Sequence, residues 1–217
     1  MLHTAPEETD FEMSTPLDPP VIVIDDFVGP EVVDQLLRYA VEQQPAFAVS
    51  TVALADVSMV DASRRVSMVH HDLDPVLPLL EPAIRKAVDE AILALGLVNV
   101  DAYLLETELA WHSDGSFFRR HDDTVSRDRV ALQRVLTMVY YFHREPKPFR
   151  DGQLRIYGLA ARSDECLAEI EPRSDRAVFF PSWFPHEVRP VRCDSEAFED
   201  GRFAVNCWVR RIPQSHA

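Results

Sequence analysis

The sequence has 217 residues, 47% of them hydrophobic and 27% charged, and this balance is typical of one globular domain with a buried core. Its formal net charge of −14 would repel a phosphate backbone or an anionic membrane surface, so we expect no nucleic-acid partner and no membrane partner. The chain has no apolar run of the ~18 residues that a membrane span needs, and its acidic N-terminus is unlike a signal peptide. These features predict a cytoplasmic protein.

The first residues predict a tail and then a short strand and two helices. Residues 1–20 are rich in acidic residues and proline, which disfavours packing, so we expect a flexible N-terminal tail followed by a single domain over residues 21–217. A β-branched run over residues 21–24 predicts a buried strand. Helical spacing of apolar residues predicts one helix from Pro30 to about residue 44 and another whose regular part begins no earlier than Pro82.

The rest of the chain reads as strands separated by turn-rich connections. The predicted strands are Asn99 to Trp111, Arg134 to His143, Gln153 to Tyr157, Ala177 to Pro181, Glu187 to Val191 and Phe203 to Arg210. Because strands and helices do not alternate here, a parallel sheet is excluded. The sequence predicts a mainly β fold with some α, in which two N-terminal helices pack on one sheet of an antiparallel jelly roll or barrel.

One stretch carries a possible metal site. Successive side chains of a strand alternate between faces, so His121 and Asp123 project to one side and Asp122 to the other. An imidazole and a carboxylate are two of the three ligands in the 2-His-1-carboxylate triad that binds non-haem Fe(II). The His-x-Asp triplet is also common by chance, and a solvated surface is its ordinary alternative.

A third ligand is available from another part of the chain. His186 follows a proline-rich turn and precedes a predicted strand, so it can meet the first two residues from a different strand. Taken alone, such a histidine is more often a core residue that is hydrogen-bonded to a backbone carbonyl. The presence of His121 and Asp123 favours the role of ligand.

The last predicted strand places polar groups on an inward face. Its alternation puts Arg202 and Asn206 on one face, opposite a purely apolar one. A guanidinium inside a barrel is costly unless an anion meets it, and its planar fork binds a carboxylate through two bonds. A small dicarboxylate is therefore a natural partner, although Arg202 could instead be solvated or paired with an aspartate. Only one of Tyr140 and Tyr141 can face the same cavity.

Five ordered motifs from about residue 110 to 210 resemble the prolyl-4-hydroxylase-like branch of the Fe(II)/2-oxoglutarate-dependent dioxygenases. They are His121-x-Asp123, Tyr140-Tyr141, the segment from Asp151 to Tyr157, the segment from Pro185 to Val191, and the segment from Gly201 to Trp208. The resemblance implies a double-stranded β-helix that binds iron through His121, Asp123 and His186. It also implies that 2-oxoglutarate is bound by Arg202 and Tyr141, with Asn206, Leu154 and Trp111 at the cofactor pocket. Trp111 stands where some relatives carry a tyrosine.

The resemblance also implies the reaction. Such enzymes use O2 and 2-oxoglutarate to hydroxylate an unactivated C–H bond, with release of succinate and CO2. The intact carboxylate of Asp123 favours hydroxylation over halogenation. We expect a small-molecule substrate, such as an amino-acid-derived or biosynthetic intermediate, because no added peptide-binding domain or repeat is visible. The alternatives are a prolyl-type hydroxylase of peptides or proteins and, more remotely, a non-catalytic cupin-like binding module. A zinc hydrolase would leave Arg202 unexplained.

Candidate substrate residues are cations near the expected site mouth. Arg119 is predicted to face as His121 does, Arg155 lies on a neighbouring strand, and Arg65 precedes a strand-like piece. For each of them, simple solvation is the alternative. The acidic segment from residue 192 to 201 is either a lid over the site or a solvated hairpin tip.

Overall fold

The computed structural model describes residues 19–54, 57–124, 133–159 and 164–212, so the predicted tail lies outside the described residues except for its last two positions. The two α-helices of the described residues are α1 (Pro30–Glu42) and α2 (Leu77–Ala94). Neither of them is long and apolar enough to cross a membrane.

The strands occupy most of the remaining described chain. In chain order they are β1 (Ile22–Asp25), β2 (Ala48–Val49), β3 (Val52–Leu54), β4 (Val57–Met59), β5 (Arg65–Val66), β6 (Met68–His70), β7 (Tyr103–His112), β8 (Phe117–His121), β9 (Arg134–Phe142), β10 (Phe149–Asp151), β11 (Leu154–Tyr157), β12 (Cys166–Ile170), β13 (Arg176–Pro181), β14 (His186–Val188), β15 (Val191–Cys193) and β16 (Arg202–Arg211).

Two antiparallel sheets form the core of the fold. The larger has seven strands in the order β1-β13-β9-β16-β7-β6-β2, and the smaller has five in the order β12-β11-β14-β8-β5. The sheets pack face to face, since one apolar cluster combines Tyr141 and Ala204 of the larger sheet with Leu154 and Ile156 of the smaller. This arrangement confirms the predicted mainly β fold with a double-sheet jelly-roll core.

The central strand β16 shows why the larger sheet has two different faces. Phe203, Val205, Cys207 and Val209 belong to the apolar cluster that also contains the buried residues of α1 and α2. The alternate residues, which begin with Arg202, point between the two sheets. The period-two pattern of this strand therefore separates a helix-covered core from a polar interior.

Helix α1 is fixed to the larger sheet by one buried carboxylate. The backbone N–H groups of Val28 and Gly29, just before the helix, donate to Asp175 at 2.9 and 2.8 Å. Tyr140 Oη donates to the same carboxylate at 3.1 Å. Asp175 itself has a left-handed backbone, with φ of 59°. One side chain thus satisfies donors from a helix start and from a core strand.

We expect Asp175→Ala to lower the free energy of unfolding by about 2–4 kcal/mol, because it leaves the buried Tyr140 hydroxyl and helix-start N–H groups without an acceptor. Urea unfolding measures this loss. Asp26→Ala is the matched control, since Asp26 has a similar φ of 53° but is exposed. Equal losses in the two variants would mean that backbone strain, and not the carboxylate, accounts for the effect.

Helix α2 begins earlier than the sequence predicted. It starts at Leu77, and Pro82 lies inside it, so the expected start at Pro82 was wrong. Pro82 removes one backbone hydrogen bond near the start of the helix. Leu80 and Ile84 on either side are completely buried, and their packing offsets that loss.

Candidate active site

Three potential metal ligands converge between strands β8 and β14. His121 ends β8, His186 begins β14, and the two residues lie opposite each other in the sheet. Asp123 follows two residues after His121, and its backbone N–H donates to the Ser182 carbonyl at 3.0 Å. The ligand atoms of His121, Asp123 and His186 all lie within 4.8 Å of one another.

Backbone carbonyls orient both imidazoles. His121 Nδ1 lies 2.8 Å from the Arg119 carbonyl and His186 Nδ1 lies 2.9 Å from the Phe184 carbonyl, so each Nδ1 carries the proton and donates it. Each Nε2 is left with a lone pair, at 3.8 and 3.7 Å from the Asp123 carboxylate. This is the tautomer and orientation that histidine ligands adopt at metal centres.

The protonation states also suit metal binding. Burial and the neighbouring His186 lower the pKa of His121 to about 3, so this imidazole is neutral at neutral pH. Burial alone would raise the pKa of Asp123, but His186, His121 and the hydrogen bond from Thr137 lower it below the ordinary value. Thr137 Oγ1 donates to Asp123 Oδ2 at 2.7 Å. At neutral pH the cluster thus presents the neutral imidazole of His121 and the carboxylate of Asp123 as ligands.

A β-bulge in β8 corrects the expected position of Arg119. Between the pairs His186–His121 and Val188–Phe118 the register shifts, because β8 contributes one residue more than β14. Phe118 and His121 therefore line the same cavity, and their rings stack with centroids 3.5 Å apart. Arg119 instead lines a groove outside the cavity and donates to the Ser63 carbonyl. The alternation that placed Arg119 beside His121 does not hold across the bulge.

A buried guanidinium lies deeper in the same cavity. Arg202 is 1% exposed; its Nε donates to the Gly152 carbonyl at 3.1 Å, and its Nη1 lies 3.3 Å from His112 Nδ1. Among the described residues, Arg202 Nη2 and the Tyr141 hydroxyl are buried without a hydrogen-bond partner. The guanidinium carbon lies 4.8 Å from the centre of the Tyr141 ring. Two unsatisfied donors side by side indicate a site for an anion.

Gly152 is required for this position of Arg202. Its φ of +73° is left-handed, and a Cβ built there would lie 3.0 Å from Arg202 Cδ and 2.9 Å from Val191 Cγ2. Only glycine combines that backbone conformation with such a close approach. The Asp151-Gly152 pair in the sequence thus has a structural role in placing the guanidinium.

His112 occupies the place that the sequence assigned to Trp111. His112 lines the cavity, 3% exposed, and burial together with the nearby Arg202 lowers its pKa well below the ordinary value, so it is neutral. The neighbouring Trp111 faces the opposite side of β7, where its indole N–H donates to the Phe198 carbonyl at 2.8 Å. The predicted contact between Trp111 and the cofactor pocket is therefore wrong. Alternation along β7, counted from Arg202 opposite His112, could have identified His112.

The remaining cavity wall contains two predicted cofactor contacts and one predicted substrate residue, since Leu154, Asn206 and Arg65 all line it. Glu108, which the sequence did not single out, lies beside them and is paired with Arg65 at 2.8 Å. Arg155 lies next to Leu154 on β11 but faces away from the cavity and pairs with Glu169, which corrects its predicted substrate role.

The acidic segment after β15 does not cover the cavity. Phe198 is 6% exposed within the core cluster that contains the helices, and it stacks on Trp111 with ring centroids 4.7 Å apart. A Cβ at Gly201 would clash with the Trp111 indole, at 2.1 Å, which fixes the end of the segment against the same ring. Phe198 and Gly201 therefore pack on the helix side of the larger sheet, which argues against the lid, one of the two alternatives left open by the sequence.

A profile of the 2OG-Fe(II) oxygenase superfamily matches residues 107–210, a range that contains all three convergent ligands and Arg202. This match supports the resemblance to Fe(II)/2-oxoglutarate-dependent oxygenases that the sequence motifs predicted. Fe(II), 2-oxoglutarate and O2, which the sequence predicted, are the cofactor and co-substrates of the superfamily.

One relative that aligns over most of the chain is an uncharacterized PKHD-type hydroxylase of Synechocystis sp., with 28% identity over 194 residues. The alignment covers 87% of this chain but only 62% of that relative. This chain spans less than two thirds of the length of that relative, so the hydroxylase activity in the relative's name is said of that protein alone.

Solved structures of prolyl hydroxylases share the fold. A prolyl-4-hydroxylase from Pseudomonas putida aligns with a TM-score of 0.64 and 20% identity over 89% of this chain and 94% of its own. A prolyl hydroxylase from Trichoplax adhaerens, in complex with a hypoxia inducible factor peptide, gives 0.60 and 21% over 88% and 84%. A viral collagen prolyl hydroxylase from Paramecium Bursaria Chlorella virus-1 gives 0.58 and 15% over 88% and 96%. These oxygenases show the prolyl-4-hydroxylase-like fold of the chain.

The residues present fit the cofactors of the superfamily. Two imidazole nitrogens and one carboxylate within 4.8 Å of one another are the donor set that would hold non-haem Fe(II). The unpartnered Arg202 Nη2 and Tyr141 hydroxyl match a carboxylate such as the distal group of 2-oxoglutarate.

Proposed function

We propose that this chain is an Fe(II)- and 2-oxoglutarate-dependent hydroxylase that acts on an unactivated C–H bond of a small molecule, with release of succinate and CO2. One observation carries the proposal. A His-Asp-His set lines a single cavity together with the buried guanidinium of Arg202, whose Nη2 has no hydrogen-bond partner among the described residues. The direct test is formation of succinate from 2-oxoglutarate by the purified protein, in amounts that depend on Fe(II) and O2.

The residues have distinct roles in this proposal. His121, Asp123 and His186 hold the iron, which when bound activates O2 at the expense of 2-oxoglutarate. Arg202 and Tyr141 bind the distal carboxylate: the burial that raises the pKa of Tyr141 keeps its hydroxyl protonated and able to donate. Leu154 and Asn206 form part of the wall around the co-substrate.

Several features of the wall support a small-molecule substrate. Arg65 and Glu108 line the cavity with side chains only 10% and 9% exposed, so only a group that enters the cavity can reach them. Arg119 and Arg155, which would suit recognition of a larger ligand at the mouth, are instead engaged at the outer surface. Recognition by charges inside the cavity favours a ligand that fits within it.

A prolyl-type hydroxylase of peptides is the second candidate. It is supported by the fold shared with prolyl hydroxylases, one of which was solved with a bound peptide. A mass-spectrometric screen for the gain of one oxygen, with proline-containing peptides beside free small molecules, separates the two candidates. Oxygen gain by peptides alone would replace the first candidate with the second.

We expect His112→Ala to raise the apparent KM for 2-oxoglutarate by roughly 10- to 100-fold. The change removes the imidazole that accepts a hydrogen bond from Arg202 Nη1 and holds the guanidinium in place. Hydrogen bonds to charged groups contribute more than those between neutral groups. Steady-state succinate assays measure the change. His143→Ala is the control, since His143 is equally buried but bonds the Arg144 carbonyl outside the cavity. A similar rise in KM for both variants would contradict a specific role for His112.

A further inference from the structure

The most informative feature outside the cofactor residues is a buried ion pair on the cavity wall. Arg65 Nη2 donates to Glu108 Oε1 at 2.8 Å, and both side chains line the cavity that contains the His-Asp-His set. A buried pair of this kind contributes little to stability, because the cost of removing two charges from water offsets their attraction. Its position beside the metal ligands therefore calls for a functional explanation.

Both charges are fixed in position by further contacts. Arg65 Nε donates to Ser67 Oγ at 2.9 Å, and Ser67 Oγ in turn lies 2.9 Å from Ser50 Oγ. Asn206 Nδ2 donates to Glu108 Oε1 at 3.3 Å. Among the described residues, these contacts use Arg65 Nε and Nη2 and one oxygen of Glu108. Arg65 Nη1 and Glu108 Oε2 remain available to a ligand.

The pair lies close to the metal ligands. The Arg65 guanidinium carbon is 4.8 Å from the centre of the Phe118 ring, and that ring stacks on His121. Apolar side chains line the cavity beside the pair, namely Phe118, Val188 and Trp208. A ligand held by the pair would have its hydrocarbon portion among these residues and next to His121.

From these observations we propose that the substrate carries an ammonium and a carboxylate on the same carbon atom, as a free α-amino acid does. Arg65 binds the carboxylate and Glu108 binds the ammonium, so that each pole of the ion pair meets its opposite charge. This inference rests on the proposed function and names the substrate class of the same site.

Charge balance favours such a zwitterion over other ligands. A simple anion that approached Arg65 would also meet the negative charge of Glu108. A simple cation would meet Arg65. A peptidyl proline offers neither a free ammonium nor a free carboxylate, and it would leave both buried charges without a complementary group.

The test compares free amino acids with blocked forms of the same compounds. The twenty L-amino acids, their N-acetyl derivatives and their C-terminal amides are titrated into protein loaded with Fe(II) and 2-oxoglutarate without O2, and binding is measured by calorimetry. The same panel and proline-containing peptides are then screened with O2 for the gain of one oxygen. We expect at least one free amino acid to bind and be oxidised, with its two blocked forms at least tenfold weaker.

Two variants that each remove one charge separate recognition from structural support. Glu108→Gln should abolish the preference for the free amine over the N-acetyl form, and Arg65→Gln should abolish the preference for the free acid over the amide. Glu106→Gln is the control, because Glu106 lies on the same strand β7 and is paired with an arginine, Arg134, but does not line the cavity. It should leave both preferences unchanged.

Three outcomes would overturn the inference: no binding by any free amino acid, equal use of free and blocked forms, or a uniform loss for every ligand in both variants. The proposed function has a separate readout. If succinate still forms while blocked compounds or peptides are the ones oxidised, the hydroxylase proposal survives and the zwitterion inference fails. If no succinate forms with any compound, the hydroxylase proposal itself fails.

Discussion

Replacement of His121 or Asp123 by alanine should reduce the Fe(II)- and 2-oxoglutarate-dependent formation of succinate to background. Each change removes one of three protein ligands, whose atoms lie within 4.8 Å of one another, and two ligands hold a divalent ion far less tightly than three. The same variants should lose stoichiometric Fe(II) binding when measured anaerobically by calorimetry. Metal binding and turnover are therefore expected to fall together.

Asp122→Asn is the control for these variants. Asp122 lies between the two ligands, but its carboxylate accepts hydrogen bonds from Thr124 N at 2.9 Å and Thr124 Oγ1 at 2.8 Å, and it is not part of the metal-ligand group. The amide retains the acceptor oxygen, so turnover and Fe(II) affinity should stay near those of the unmodified protein. Full turnover by the His121 and Asp123 variants would refute the metal assignment.

Arg202→Ala should chiefly raise the apparent KM for 2-oxoglutarate. Loss of one partner of a buried charge pair costs about 2–5 kcal/mol, which corresponds to an affinity loss of roughly 30-fold to several-thousand-fold. Arg202 is 1% exposed, and its Nη2 has no hydrogen-bond partner among the described residues. We therefore expect its removal to cost a binding free energy in this range. Tight-binding measurements with 2-oxoglutarate and Fe(II) in the absence of O2 should show the same loss.

Arg202→Lys tests whether the planar fork matters beyond the charge. Lysine keeps a cation but cannot bond Gly152, His112 and a carboxylate in one plane, so we expect an intermediate KM. Arg192→Ala is the control, because Arg192 is exposed and pairs with Asp151 outside the cavity. An unchanged KM in Arg202→Ala, with a folded protein by thermal unfolding, would place the co-substrate carboxylate elsewhere.

The alternation of side chains along a strand predicted which residues face the cavity only in those strands that are regular. The alternation along β16 correctly separated Arg202 and Asn206 from the apolar residues, since ten consecutive residues pair with β7 without a bulge. The same rule failed for Arg119. Between Phe118 and His121, strand β8 contains one residue more than β14, so the alternation of side chains does not continue from His121 to Arg119. A bulge has no sequence signal of its own here, so the exposed position of Arg119 could not be predicted.

The start of α2 and the neighbours of Glu108 also depend on contacts between segments that are distant in the chain. Pro82 is a poor helix residue by its local chemistry, yet the burial of Leu80 and Ile84 against the larger sheet carries the helix through it. Glu108 looked like one of many surface acids in a chain with 36 acidic residues. The pairing of β7 with β16 brings it opposite Asn206, and the packing of the two sheets brings it to Arg65 on β5.

The sequence by itself predicted the mainly β fold, the family resemblance and the candidate metal ligands, because these depend on residue chemistry at fixed spacing and on strand periodicity. The tertiary structure decided which other residues face the cavity. His112 in place of Trp111, Glu108 beside Arg65, and Arg119 and Arg155 outside all depend on register between strands distant in the chain. Register is set by the summed packing of two sheets and two helices, which no local segment encodes.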